Sequence, residues 1–173
     1  MLARRRPRKP APEASGRTFG PSRVPAIDFI GCSTVLDDPA VLALLPATYA
    51  NEQLGTVSLA GRRKVNESKQ RLTAMVHALC RPGRDPVVGP AAMLFEVCLA
   101  RVDWDACLKA VGDAVQGLLL AGGDDRAVVE AHVVLTRPVK GKREPFVRVT
   151  SFALPSERAA FLEAIDTASS AGA

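Results

Sequence analysis

The sequence predicts an α+β domain, a small mixed β-sheet with helices packed on it. Short apolar runs with strand character alternate with stretches of helical period. Gly and Pro punctuate the junctions between them, and no internal repeat is visible. The expected order is ββαβαββα, with one further short helix after Pro39.

Residues 26–32 read as a short apolar strand. Asp38 then supplies an N-cap and Pro39 the first helical position, which predicts a helix over 41–45 closed by Pro46. Capping also accounts for the acidic pair Asp37-Asp38. A second strand is expected over 54–60, ending in the basic cluster Gly61-Arg62-Arg63-Lys64. Asn66 caps a helix to Cys80: Leu72, Met75, Val76, Leu79 and Cys80 form the stripe of a surface helix, and Pro82-Gly83 stops it. After Pro90, Met93, Phe95, Val97 and Leu99 alternate with shorter or polar neighbours, so 91–101 reads as a strand with one face on the core. From Asp105 the period changes. Leu108, Val111, Val115 and Leu118 fall on one side and Asp105, Lys109, Asp113 and Gln116 on the other, an amphipathic helix that Gly122-Gly123 ends. Residues 127–135 and 146–153 predict a hairpin across the basic turn 137–143. Ser156 caps a last helix carrying Phe161, Leu162 and Ile165.

The 173 residues fit one folded domain, 24–166, with a basic arm at 1–23 and a flexible tail at 167–173. Aromatic residues make up only 5%, so Leu, Val and Ala must do most of the packing. No apolar run reaches the roughly 18 residues of a membrane span, and residues 1–23 lack the apolar core of a secretory signal. No membrane partner is expected. Cys32, Cys80, Cys98 and Cys107 form no C-x-x-C pair and read as reduced thiols used as small hydrophobes, which fits a cytoplasmic protein. A structural zinc site is not expected, since His77 and His132 lack ligand spacing. The net charge of +5 is unevenly spread. Residues 1–23 carry seven Arg/Lys against Glu13, a net +6, while the remaining 150 carry 16 basic and 17 acidic groups, a net −1. The arm reads equally as a phosphate-seeking appendage and as a solubilising tail.

Residues 101–130 hold five aspartates and one lysine. Clustered carboxylates beside an ammonium are what a protein needs to hold Mg²⁺ against a phosphodiester. Asp103 and Asp105 flank Trp104, so in an extended chain they share one side, about 6.6 Å apart. Asp105 opens the helix, where the dipole stabilises its charge, and Lys109 projects over the same place one turn on. Asp124 and Asp125 follow the Gly-Gly break. Taken singly, each has a plain structural explanation: a cap, an i,i+4 pair, a turn. Those explanations leave Asp103 without a role and give no reason for acids at both ends of one helix.

The segment D-W-D-A-C-L-K-A-V-G-D-A-V-Q-G, followed by G-G-D-D-R-A-V-V, resembles the RusA family of Holliday-junction resolvases, whose signature is D-x-D-N-x-x-K-x-x-x-D-x-L, a helix, then D-D-x-x-V before a strand. The resemblance covers about 30 residues at motif strength and extends more weakly over 54–153. It implies a Mg²⁺-dependent crossover junction endodeoxyribonuclease, bacterial or phage-encoded, with Mn²⁺ as a substitute metal and no organic cofactor. Asp103, Asp105 and Asp125 would be the metal-binding carboxylates, Asp124 an auxiliary acid, and Lys109 the cation beside the scissile phosphate. Asp113 matches the helix aspartate of the signature. Ala106 departs from it, replacing Asn and removing an amide able to bond the backbone or DNA.

Between Asp105 and Asp125 lie some 14–18 helical residues, roughly 21–27 Å. Ligands near 2.1 Å from one Mg²⁺ cannot span that gap. Either the chain folds back after Gly122 or two helices pair antiparallel across a two-fold axis, giving an intertwined homodimer with two shared sites, as the resemblance also implies. Phosphate contacts are expected from Arg62, Arg63, Lys64, Lys69 and Arg71, and from Lys140, Lys142 and Arg143 at the hairpin tip. These clusters are also ordinary solvated edges. Rival readings are a branched-DNA-binding protein that no longer cuts, a nuclease for flaps or forks, and an α+β domain unconnected with nucleic acid.

Overall fold

A computed structural model describes residues 31–45, 59–100, 104–123 and 125–172. Two strands organise the sheet. β2 (Ala91–Cys98) is buried at every position, and β4 (Phe146–Ala153) at all but its two ends. Strands with no solvated face need cover on both sides, so these two lie together in the centre, paired antiparallel with Leu94 opposite Thr150 and Phe95 opposite Val149. β1 (Cys32–Leu36) adds antiparallel to β4, and β3 (Val128–Thr136) adds parallel to β2, giving the order β1-β4-β2-β3. The molecule is thus an α+β fold with a four-stranded mixed sheet.

Helices cover both faces. On one, Cys32, Leu36, Met93, Phe95, Val97, Val147 and Val149 pack with Leu72 and Val76 of α2 (Leu59–Leu79) and with Val111, Val115 and Leu119 of α3 (Trp104–Leu119). On the other, Ala92, Leu94 and Phe152 meet Phe161, Ala164 and Ala168 of α4 (Arg158–Gly172), with the rings of Phe152 and Phe161 tilted at 59° and 5.5 Å apart. Each such large side chain contributes about 1.5–3 kcal/mol by leaving water. α1 (Pro39–Leu42) starts as expected, its N-cap Asp38 accepting from Ala40 N at 2.7 Å with Pro39 at the first position. Gly122 and Gly123, at φ 83° and 64°, turn the chain out of α3, a conformation that a side chain would oppose.

Several expectations are corrected. The strand expected over 54–60 is not found at its end: Leu59 and Ala60 begin α2, and 54–58 lie outside the described residues. Asn66 is inside that helix, because the Arg, Lys, Glu and Gln around it favour helix more than one side chain favours a cap. The first strand is Cys32–Leu36, sharing only Cys32 with the expected 26–32. β2 is buried on both faces, since α4 covers the second. The last helix begins at Arg158 and runs to Gly172, through the stretch expected to be a flexible tail; the Ser156 hydroxyl donates back to Ala153 O instead of capping.

β3 and β4 are not a hairpin. β2 lies between them, joined to β3 by the α3 crossover. The physical reason is burial: β4, buried at all but its two ends, belongs beside β2, whereas β3, with exposed Val129, Ala131, His132 and Leu135, suits an edge.

A charged pair crosses the centre of the sheet. Glu96 and Arg148 are directly opposite in register, only 7% and 3% exposed, with Arg148 Nη1 3.1 Å from Glu96 Oε2. The guanidinium carbon also lies 5.6 Å from the Phe146 ring centre. Burial raises the Glu96 carboxyl above its ordinary value, with Arg148 offsetting part of that cost. All four cysteines are free and buried; with nothing to offset burial, the Cys107 thiol is pushed up to about 12. Among the described residues no helix is long and apolar enough to cross a membrane.

The β1–β4 contact leaves no room beside Gly31. A Cβ there would stand 2.6 Å from Ser151 O and 2.7 Å from Thr150 Cγ2. Gly31→Ala is expected to destabilise the fold by about 1–3 kcal/mol, because the obstacle is a backbone carbonyl that can yield only by moving β4. Urea unfolding of the two proteins measures it; equal midpoints would contradict the packing.

Candidate metal centre and nucleic-acid interface

The candidate carboxylates are carried by the β2–α3–β3 unit. β2 delivers the chain to one end of the sheet, α3 returns it, and β3 starts again alongside the beginning of β2, with Val128 opposite Ala91. Asp105 is in the first turn of α3, where the helix dipole favours a negative charge. Asp125 opens the 3-10 turn Asp125–Ala127 beyond the other end of that helix. The 16 residues of α3 separate them by about 24 Å at 1.5 Å each. The chain does not fold back after Gly122 to close this distance; it turns into β3 at the far end. Asp103 and Asp124 lie outside the described residues.

Lys109 is exposed on α3, one turn beyond Asp105, and Asp113 is exposed one turn further. The buried face of the helix, Cys107, Ala110, Val111, Ala114 and Val115, fixes which way they stand. Leu119 holds the far end: its carbonyl accepts from Val87 N at 2.9 Å and from Ser151 Oγ at 3.0 Å. His77 Nε2 lies 3.1 Å from Ala114 O and so joins α2 to α3, which is a packing role and not a ligand role.

The donors available for a cation are carboxylates. Hard oxygen ligands suit Mg²⁺; the one thiol of the acidic stretch, Cys107, is buried and held neutral, and no imidazole stands there to favour zinc. Among the described residues, which do not include Asp103 and Asp124, no group of three or more His, Cys, Asp or Glu could hold a metal ion.

The expected phosphate contacts divide into two groups. Arg62, Arg63 and Lys64 belong to the start of α2, not to a loop after a strand. Lys69 and Arg71 follow on the same helix, half-buried and exposed respectively. The β3–β4 connection leaves β3 at the end of the sheet where α3 begins, so its basic tip shares that end with Asp105. A backbone bridge between Val139 and Arg143 closes the tip around Gly141, at φ 74°. Lys140 and Lys142 project into solvent there. Arg143 is different: its guanidinium donates to Ala171 O in the last turn of α4, fastening the tip to a helix end whose partial charge suits a cation. The sequence marked Arg143 as basic but not as this anchor, because the signal lay 28 residues away.

An open cleft of about 950 Å³ lies beside the start of β2, lined by Cys32, Arg84, Asp85, Val87 and Glu157 among others. Its Arg84–Glu157 pair at 3.8 Å is a solvated contact, and it contains none of the candidate metal carboxylates. Comparison with protein-family models, curated proteins and solved structures finds no match for the chain.

Proposed function

We propose that this protein is a Mg²⁺-dependent, structure-specific endodeoxyribonuclease of RusA type that resolves four-way DNA junctions as a homodimer. One observation carries the reading: Asp105 opens α3 beside the end of β2, and Asp125 stands just before β3 at the helix's other end. That is the strand, acid, helix, acid, strand succession of the motif, and it separates the acids too widely for one subunit to use both.

Asp103 and Asp105 of one subunit, with Asp124 and Asp125 of the other, would hold the metal in each of two sites. When bound, Mg²⁺ supplies stabilisation of negative charge at the scissile phosphate. Lys109, one turn from Asp105, adds a fixed positive charge at the phosphate or the leaving oxygen. No Ser, Cys or His nucleophile is needed. Cys107 shares this helix but is buried as a neutral thiol. Two symmetric sites suit paired nicks in a junction of near two-fold symmetry.

Labelled four-way junction, flap and fork substrates, each incubated with the protein in Mg²⁺, test the reading. Paired symmetric nicks in the junction are the expected result. Preferential flap or fork cutting would redirect the activity to those substrates, and binding without nicks at any metal concentration would make it a branched-DNA-binding protein, the alternative that Ala106 favours. Lys140→Ala with Lys142→Ala should weaken junction binding without sequence preference and reduce the log–log salt dependence by about one per lysine. Titrations at several salt concentrations measure this; an unchanged slope would remove the tip from the interface.

A further inference from the structure

We propose that Arg143 is a positioning residue and not a phosphate contact: held by the last turn of α4, it sets where Lys140 and Lys142 meet DNA. The need for such a brace follows from the strand order. A hairpin tip continues the ladder of its two strands and takes its direction from them. The 137–145 connection has no such ladder, because β2 lies between β3 and β4 and the chain must cross the Cys98 end of β2 to join them. Each limb also carries a proline, Pro138 or Pro145, with no N–H to extend a strand pair. The turn is tied to itself: Val139 N donates to Arg143 O at 2.9 Å, Arg143 N returns to Val139 O at 2.8 Å, and Lys142 N reaches the same carbonyl at 2.9 Å. Those bonds fix the shape of the tip and leave its angle to the sheet open.

Arg143 supplies that angle. Its guanidinium donates to Ala171 O, one of the last carbonyls of α4, which lack partners within the helix and carry its negative partial charge. That carbonyl is itself held in place, since Ala164 and Ala168 of the same helix are buried against the sheet, Ala168 less than one turn before it. At its other end α4 is fastened by Arg158 against Glu130 of β3, and by Glu157, whose carboxylate accepts from Ala153 N at 2.7 Å. Arg143 is half-buried, whereas Lys140 and Lys142 are exposed. The three cations therefore divide: two ammoniums face solvent, and the guanidinium is engaged by the fold.

The consequence for DNA rests on the junction-binding reading. The tip stands at the end of the sheet where α3 begins, so its angle decides how far the two lysines lie from Asp105. A released tip still carries both ammoniums but holds them in the binding arrangement only part of the time. That lowers affinity by the same fraction without changing the number of phosphates contacted. A guanidinium seated on a phosphate would change that number by one. Salt dependence therefore separates the two roles.

Arg143→Ala should weaken binding of a four-way junction about three- to ten-fold while leaving the log–log salt slope at that of the unaltered protein. Ser170→Pro, which breaks the last turn of α4 from the other side of the contact, should copy it, and the double variant should be no weaker than either alone. A lysine-specific endoproteinase gives a readout without DNA. Cleavage after Lys140 should quicken by a similar factor in both variants, because it follows the population of the released tip. Should Ser170→Pro fail to fold by circular dichroism, Arg143→Ala still carries the slope and the cleavage rate. A slope lowered by about one in Arg143→Ala, losses that add in the double variant, or cleavage indifferent to both changes would overturn the proposal. A protein that binds no junction, yet frees its tip when Arg143 is replaced, would overturn the nuclease reading and leave the brace standing; undiminished junction binding by Arg143→Ala would do the reverse.

Discussion

Asp105→Asn is expected to lower junction cleavage in Mg²⁺ by at least about two orders of magnitude while leaving junction binding near its original strength. The substitution keeps the shape of the side chain in the first turn of α3 and removes only its charge, so the fold has little reason to change. Asp125→Asn should do the same from the other end of the helix. Mixing the two inactive variants separates a shared site from a self-contained one. If each site draws Asp105 from one subunit and Asp125 from the other, every mixed dimer has one site with both carboxylates intact. Random exchange makes half the dimers mixed, so about a quarter of the sites regain their ligands and single nicks reappear. Sites built within one chain would stay broken in every combination. Cleavage gels on the separate and mixed variants decide between them, and a fully active Asp105→Asn would end the metal-site reading altogether.

Arg148→Met is expected to cost about 3–5 kcal/mol at pH 7, among the largest losses available to a single substitution in this fold. The guanidinium is 3% exposed and faces Glu96 across the two central strands; without it, a carboxylate stays buried with no counter-charge. Replacing both partners, Glu96→Leu with Arg148→Met, should recover most of that loss, because two apolar chains of similar size need no desolvation. The pH dependence has a definite sign. Burial holds the Glu96 carboxyl above its ordinary 4.5 in the folded state. Its contribution to stability is therefore complete below about pH 4.5 and declines as pH rises through the folded value. Removing Arg148 lifts that value further, so Arg148→Met should lose less stability at pH 5 than at pH 7. Urea midpoints at the two pH values, for the single and double variants, measure it; equal losses at both would mean that Glu96 does not titrate in this range.

The same pair shows where local reading stops. Glu96 and Arg148 stand in the sequence as single charges within two otherwise apolar runs, and each looks like a strand's solvated position. Only the register, which sets them opposite one another, makes them partners. The hairpin expectation failed for a related reason. Proximity along the chain favours joining β3 to β4, but β4 has two faces to bury and β3 has not, so burial places β2 between them. Arg143 likewise reads as one more cation in a basic turn until α4 brings Ala171 against it.

The acidic helix was legible because its information is local: a change of period at Asp105, a glycine pair at its end, and acids just inside and just beyond. Periodicity of side chains along a helix or strand follows from backbone geometry alone, so composition and spacing were enough to establish the α+β class, α3 and its apolar face, and the candidate residues upon it. Strand order, the parallel placement of β3 at an edge, and the two-sided burial of β2 were decided by tertiary structure. These depend on which surfaces exclude water together, a property of the assembled chain that no single stretch of it contains.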